Sequence, residues 1–426
     1  MREEFLHFIW QYQRFNSSQL FTVSGEEVKC LYPGTLNNNG GPDFSNAKIQ
    51  IGDTVWAGNL EIHINSSDWY KHNHQSDRAY DNVILHVVYE HDRDTIQESN
   101  VQIPVLELKG RIPLYIKKRY SSITENIKPI PCSSIWREPP PSIQTAWLHR
   151  MAIERFQTKT EELNVFYEEQ KGDWESTFYL TLAKAFGARS NQLPFLQLAQ
   201  AFPLQKVKKV LSNHENQLGS CVFGVSGLLK IEEPDAFTLQ LLDDFDFLEQ
   251  KFQLNSMERS SWNYGRIRPY SFPDLKLAQW TSFLENHADH LYMLALNFNT
   301  EQLLRAFQSE TGEYWKNHFR LAVETKKHKS SSSQDFAEKV IINAIVPLRI
   351  FYASKTGDEN LLESALDLME DLKPEVNKVV SRWRNLPLKI ETGLHSQAVL
   401  HLEKEYCFNK QCLKCNFGNY LLNETS

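Results

Sequence analysis

Asp43 follows a Gly-Gly-Pro turn, and Glu61 and His63 stand two residues apart in the run NLEIHIN. A phosphodiesterase that works with a hard cation needs carboxylates that converge on it. The cation then activates water and offsets charge on the phosphate. Pro42-Asp43 opens one expected strand and Glu61-Ile62-His63 lies on the next, with Gly52-Asp53 as the turn between them. Side chains alternate along a strand, so Glu61 and His63 share a face. Asp43 and Glu61 are therefore expected to hold Mg or Mn, with His63 positioning or activating water. Lys48, on the neighbouring strand, is the candidate for a fixed positive charge. A Lys48 beside the two carboxylates favours an enzyme, and a Lys48 in bulk solvent favours a scaffold. Ordinary sheet residues also explain so short a pattern.

A second set of donors follows. His63, His72, His74, His86 and His91 are interleaved with Asp68, Trp69, Asp77, Tyr80 and Asp81. His72-x-His74 on an extended loop has the donors for zinc. The plainer alternative makes His86 a satisfied core histidine within an apolar strand and leaves His72 and His74 on the surface.

A third set closes the chain. Cys407, Cys412 and Cys415 form C-x4-C-x2-C, a spacing that points to zinc or an iron–sulfur cluster in a cytosolic chain. Four ligands are usual, so one must come from upstream. Cys132 is the first candidate, with Cys30, Cys221 and His401 as alternatives. Reduced cysteines packed as small hydrophobes are the other reading.

The elements that would position these residues fall into two regions. Residues 3 to 15 carry Phe5, Phe8, Ile9 and Tyr12 at helical spacing. LFTVSGEEVKCLYPG reads as a hairpin with Ser24-Gly25 at its turn, and TLNNNGGPDF as a loop. Ala47, Ile49 and Ile51 alternate with polar residues, as do Leu60, Ile62 and Ile64. SSDWYKHNH reads as a short helix or loop, NVILHVVY as a strand buried on both faces, and VQIPVLEL as part of a further strand pair. Pro139, Pro140 and Pro141 then stop any regular element. Beyond them helical periods dominate: 143 to 166, 174 to 186, 194 to 211, 236 to 253, 275 to 286, 288 to 308, 335 to 352, 358 to 370 and 373 to 384. KKHKSSSSQD reads as a mobile loop. The expected fold is α+β: a mixed-sheet domain over 1–130, a proline-rich linker over 131–142, and a larger all-helical domain over 143–426 that carries the cysteine cluster.

The 426 residues suit two or three domains. Hydrophobic content of 41% and charged content of 23% exclude a disordered or fibrous chain. A net charge of −7 excludes a globally basic nucleic-acid coat, although not a local positive groove. The start, MREEFLHFIWQYQRF, is too charged for a signal peptide, and no run is apolar enough to span a membrane. A cytosolic location without membrane contact is expected, and no feature specifies an oligomeric state.

Pro42-Asp43, the hairpin, Glu61 and an acidic Glu3 or Glu4 on the first helix resemble the PD-(D/E)XK nuclease superfamily over about the first 120 residues. The resemblance implies a restriction-endonuclease-like fold and metal-dependent cleavage. The chain departs from the pattern at His63, where the superfamily has lysine. Some nucleases of that superfamily pin the domain with an iron–sulfur cluster on one upstream cysteine and three near the C-terminus. The cysteines here are similar in outline but differ in spacing. GPDFSNAKI, AGNLEIHINSSDW, YDNVILHVVYEHD, CVFGVSGLL, WNYGRIRPYSFPDLKLAQ, INAIVPL, LKPEVNKVVSRW and HSQAVLHLEKEYC closely resemble a family of uncharacterised bacterial proteins over essentially the full length. That resemblance implies a shared fold and brings no activity. Within it, Arg266 and Arg268, with Lys276, are candidates to bind phosphate, or else to cap helices and bridge domains.

The leading expectation is thus a nuclease acting on DNA or RNA. The alternatives are a nucleic-acid-binding or scaffold protein with a degenerate nuclease fold, and an iron–sulfur or zinc sensing protein.

Overall fold

The computed structural model describes residues 1–37, 39–214 and 217–424. Asn38, in the Asn-rich loop, lies outside them. The chain forms two compact units. One comprises 1–147, 385–388 and 402–426, and the other comprises 148–384 and 389–401. This division differs from the boundaries read from the sequence, because the terminal cysteines belong with the sheet.

The first unit begins with α1 (Glu3–Gln11), shorter than its apolar period suggests because Gln13 turns left-handed. Next come β1 (Val28–Tyr32), β2 (Thr35–Leu36), β3 (Phe44–Ile51) and β4 (Thr54–Asn65). They are followed by α2 (Asp68–Lys71), β5 (Val83–Glu90), β6 (Val105–Glu107) and α3 (Leu114–Glu125). The sheet order is β1-β3-β4-β5-β6, with β2 beside β3. β1, β3 and β4 are antiparallel; β5 runs parallel to β4 and β6 parallel to β5. The expected mixed sheet is present.

Ala47, Ile49 and Ile51 of β3 are buried, as period-two burial requires. β4 changes character along its length. Its first residues, Val55 and Trp56 among them, are exposed, whereas Leu60 to His63 are buried without alternation. The change falls at Gly58, where a Cβ would meet Ile84 Cγ2 at 2.5 Å and the Asn82 carbonyl at 2.8 Å. Only glycine lets β4 pass that close to the start of β5. Both faces are then covered, which is why Glu61 and His63 are not at the surface.

The second unit holds most of α4 (Pro141–Glu169), then α5 (Trp174–Phe186), α6 (Gln192–Ala201), α7 (Leu204–Asn213), α8 (Leu218–Val225) and α9 (Ala236–Phe252). Next are α10 (Pro273–His287), α11 (Leu291–Asn297), α12 (Thr300–Phe307) and a small hairpin, β7 (His318–Arg320) with β8 (Val323–Glu324). α13 (Gln334–Val340), α14 (Val346–Thr356), α15 (Glu359–Asp371), α16 (Lys378–Arg384) and α17 (Gly393–His401) complete it. Phe186, Trp280, Phe283 and Phe307 form an aromatic core with centroids about 5–6 Å apart.

The helical periods hold with five departures, one being the 373–384 run, which is helical only from Lys378. The 194–211 run is two helices, because Pro203 has no N–H to continue α6. The 288–308 run breaks at Asn299, whose side chain accepts from Gln302 N–H while Gln302 accepts from Asn299 N–H, a capping box that starts α12. The β7–β8 hairpin makes the region not wholly helical. The serine run expected to be mobile is held: Ser330 and Ser332 are buried, and Gln279 donates to the Ser330 carbonyl.

Arg349 on α14 is buried and, among the described residues, has no carboxylate partner. Its guanidinium donates to the carbonyls of Ala295 and Phe298, at and just past the end of α11, and to Ser364 Oγ. It satisfies helix-end carbonyls that have no partner within the helix. Arg349→Leu is expected to lower stability by about 2–5 kcal/mol, since each stranded carbonyl costs about 1–3 kcal/mol. Urea unfolding measures this, and a loss under about 0.5 kcal/mol, the size of an ordinary surface change, would contradict the role.

No helix among the described residues is long and apolar enough to cross a membrane.

Candidate metal centre

The register of β3 and β4 pairs Phe44 with Leu60, which sets Asp43 beside Glu61. Asp43 N–H donates to Glu61 Oε2 at 3.1 Å, and Ile62 N–H donates to Asp43 Oδ2 at 3.0 Å. Each carboxylate thus accepts a backbone N–H from the facing strand segment, Glu61 from Asp43 and Asp43 from Ile62. From α1, His7 Nε2 reaches Asp43 Oδ2 at 3.1 Å, and Glu3 lies one turn earlier on the same helix.

The histidines arrive from the connection after β4. His72 caps the end of α2, Asn73 takes a left-handed conformation (φ 59°), and His74 starts a single 3-10 turn. Asparagine tolerates that conformation better than most residues, and the bend directs both neighbours back onto β4. The donor atoms of His63, His72 and His74 lie within 4.8 Å of one another. Glu61 Oε1 stands beside two of the three, 3.1 Å from His74 Nε2 and 3.5 Å from His63 Nε2. Tyr80 stacks on the His74 ring with centroids 3.8 Å apart, and Trp69 meets it edge-on. The set runs from buried His63 through half-buried His74 to exposed His72, so it opens to solvent.

Behind it stands a relay. His63 Nδ1 is 2.9 Å from His86 Nε2, and His86 Nδ1 is 2.8 Å from Thr95 Oγ1. If each imidazole donates from Nδ1, His63 Nε2 keeps its lone pair for the cluster. An outer hydrogen bond of this kind fixes ring orientation at metal sites.

Burial, then the neighbouring histidines, lowers His63 to a pKa of about 3. Burial, then His74 and His91, does the same to His86. Both are neutral at physiological pH, the form that binds metal. Burial raises Glu61, with Asp43 adding and the His74 hydrogen bond opposing. Burial, then Asp43, raises Glu3. Burial alone would lower His7, but its hydrogen bond to Asp43 and the surrounding carboxylates outweigh this, so its pKa lies above the usual value.

Three imidazole nitrogens and a carboxylate oxygen suit Zn²⁺ or Mn²⁺ better than Mg²⁺, which favours oxygen ligands throughout. His86→Leu removes the acceptor for His63 Nδ1–H. It is expected to weaken Zn²⁺ or Mn²⁺ binding by about 10–100-fold, while His86→Gln keeps most of it. Calorimetric titration distinguishes them, and equal affinities would rule out the relay.

The other candidates are scattered. Lys48 is exposed, opposite Ala57 and well along β3 from Asp43. His91 pairs with Ser66 and Asp94 instead of the cluster. Arg266 and Arg268 are exposed in the second unit, whereas Lys276 is buried there against Gln279 and Phe336 and cannot meet a phosphate. Cys132, Cys407, Cys412 and Cys415 are buried together in the first unit. Cys30 lies on β1, and Cys221 and His401 lie in the second unit. Sequence reasoning missed His7 and Thr95. Glu3 and His7 at i, i+4 on one helix were the available signal for His7.

The fold and site define an α+β protein whose mixed sheet carries a histidine–carboxylate cluster. The model of the family described as "Protein of unknown function (DUF2851)" matches residues 3–378, and the chain belongs to that family. No curated protein and no solved structure matches it.

Proposed function

We propose that the protein is a metal-dependent phosphodiesterase acting on DNA or RNA, with its centre at Glu61, His63, His72 and His74. The observation that carries this reading is the convergence of those four side chains with Asp43 and His7 at one end of the sheet. The element order supports the likeness to the PD-(D/E)XK fold: a helix, an antiparallel run of β1, β3 and β4 with the short β2 added beside β3, a helical connection and two parallel strands. An anionic substrate is supported by a cavity of about 330 Å³ lined by Arg2, Glu4, His7, Lys410 and Lys414, which meets the carboxylate–histidine group through His7 and its neighbour Asp43 and not through the four centre residues themselves. A cytosolic location goes with this reading.

A Zn²⁺ or Mn²⁺ ion supplies an activated water and offsets phosphate charge when bound. Glu61 and the three histidines would hold it. Asp43 keeps Glu61 oriented through the crossed backbone hydrogen bonds. His7, whose Nε2 lies 3.1 Å from Asp43 Oδ2 and which lines the cavity, would receive the proton of the attacking water as its oxygen bonds to phosphorus, and the sugar oxygen would leave with a proton taken from solvent.

The exposed Lys48 favours a second reading, a nucleic-acid-binding scaffold without turnover. One experiment separates the two: cleavage of mixed DNA and RNA with Mn²⁺ or Zn²⁺, using Asp43→Ala and Glu61→Ala as controls. Metal-dependent cleavage lost in both variants supports the enzyme. Binding without cleavage supports the scaffold, and cleavage retained in both variants removes the proposed centre.

A further inference from the structure

Cys132 sits in a short 3-10 segment (Pro131–Ile135) that packs against α18 (Asn416–Asn423), the helix capped by Cys415. Next to this contact, Trp136 meets Phe417 edge-on with centroids 5.4 Å apart. Cys407 ends a π-type turn (Leu402–Cys407), and the chain reverses through Lys410 (φ 52°) to bring Cys412 back. The reversal is tight: a Cβ on Gly418 would lie 2.1 Å from the Cys412 carbonyl. The four thiols are 5–9% exposed and unbridged, and Cys407 feels the electrostatic influence of the other three.

Four reduced cysteines gathered in one buried place supply the soft donors that zinc or an iron–sulfur cluster takes. Their spacing narrows the choice. Sulfurs around one tetrahedral zinc lie about 3.8 Å apart, given a Zn–S bond of about 2.3 Å. Here, among the described residues, no three of the sulfurs fall within 4.8 Å of one another, although the three histidines do. A cluster, in which the thiolates are spread over several irons, needs the wider set. Cys415 is the N-cap of α18, whose first N–H groups favour a negatively charged ligand sulfur.

We infer that Cys132, Cys407, Cys412 and Cys415 ligate an iron–sulfur cluster that ties the C-terminal segment to the sheet-bearing unit. The inference does not depend on the phosphodiesterase reading, because it uses none of the same residues. Its occupancy also shapes the cavity, since Lys410, Cys412 and Lys414 line one wall.

The test is elemental analysis of the full chain, purified anaerobically, for iron, acid-labile sulfide and zinc. Iron and sulfide in a one-to-one ratio, with the broad visible absorbance of a cluster, is the expected result. The signal should vanish in Cys132→Ser and Cys415→Ser and persist in Cys30→Ser. Zinc at one atom per chain without sulfide would overturn the assignment. So would wild-type protein that holds no metal after anaerobic reconstitution with ferrous iron and sulfide. The wild-type measurement decides even if the serine variants fail to fold.

Discussion

Glu61→Gln is expected to lower metal-dependent cleavage by on the order of 10³-fold, the scale of removing one preorganised electrostatic group from an active site. The substitution is nearly isosteric. The amide oxygen still accepts from Asp43 N–H, so the strand pairing that now sets Asp43 beside Glu61 is retained. What disappears is the negative charge between His74 and His63, where Oε1 lies 3.1 Å and 3.5 Å from their Nε2 atoms. A cation held by three neutral imidazoles alone loses its anionic ligand, and Mn²⁺ affinity should fall with the rate. Thermal unfolding of the metal-free variant should match wild type. Cleavage within about tenfold of wild type under saturating Mn²⁺ would show that Glu61 is a structural carboxylate.

A second large effect is expected in the other unit and involves pH. Lys276 on α10 is buried, donates to Gln279 Oε1 and lies 3.4 Å from the Phe336 ring centroid. Burial, with Lys339 adding, lowers its pKa from 10.5 to about 7. An unfolded lysine holds its proton up to about 10.4, so between these values the unfolded chain binds more protons than the folded one. Stability contributed by this site therefore rises with pH from about 7 to above 10, by about 1.4 kcal/mol per unit at most. Lys276→Met removes the titrating group. The difference in unfolding free energy between Lys276→Met and wild type should shrink by a few kcal/mol between pH 7 and 9.5. A constant difference across that range would mean that Lys276 stays charged in the folded protein.

The parts of the fold visible in the sequence are those governed by local period. Ala47, Ile49 and Ile51, the continuous apolar run of β5, and the amphipathic spans that became α5, α9 and α15 all follow from side-chain alternation or helical spacing. The helix breaks at Pro203 and Asn299 also carried local signals, which an unbroken apolar stripe obscured. The candidate site was only partly legible. Asp43 and Glu61 meet because a hairpin aligns them, and hairpins can be read from turn residues. His72 and His74 join them only because Asn73 turns left-handed and the short helix folds over β4, a tertiary event with no period. The burial of Glu61 and His63 was hidden for the same reason: it depends on what covers the second face of β4. The companionship of Cys132 with the terminal cysteines was guessed from number and chemistry, and only the packing of α18 on the 131–135 segment brings them together.

The sheet-bearing unit is assembled from both ends of the chain, with 402–426 returning to residues before 148. On a ribosome this order matters. At about 5–20 residues per second, the strands wait for roughly a quarter to most of a minute before their last partners emerge. During that interval Cys132 lacks its three companions. Proteins that guard nascent chains would meet an unfinished first half and a finished second one. A chain that stopped before residue 402 would carry every residue of the helical unit and lack the segment that returns to the sheet-bearing unit.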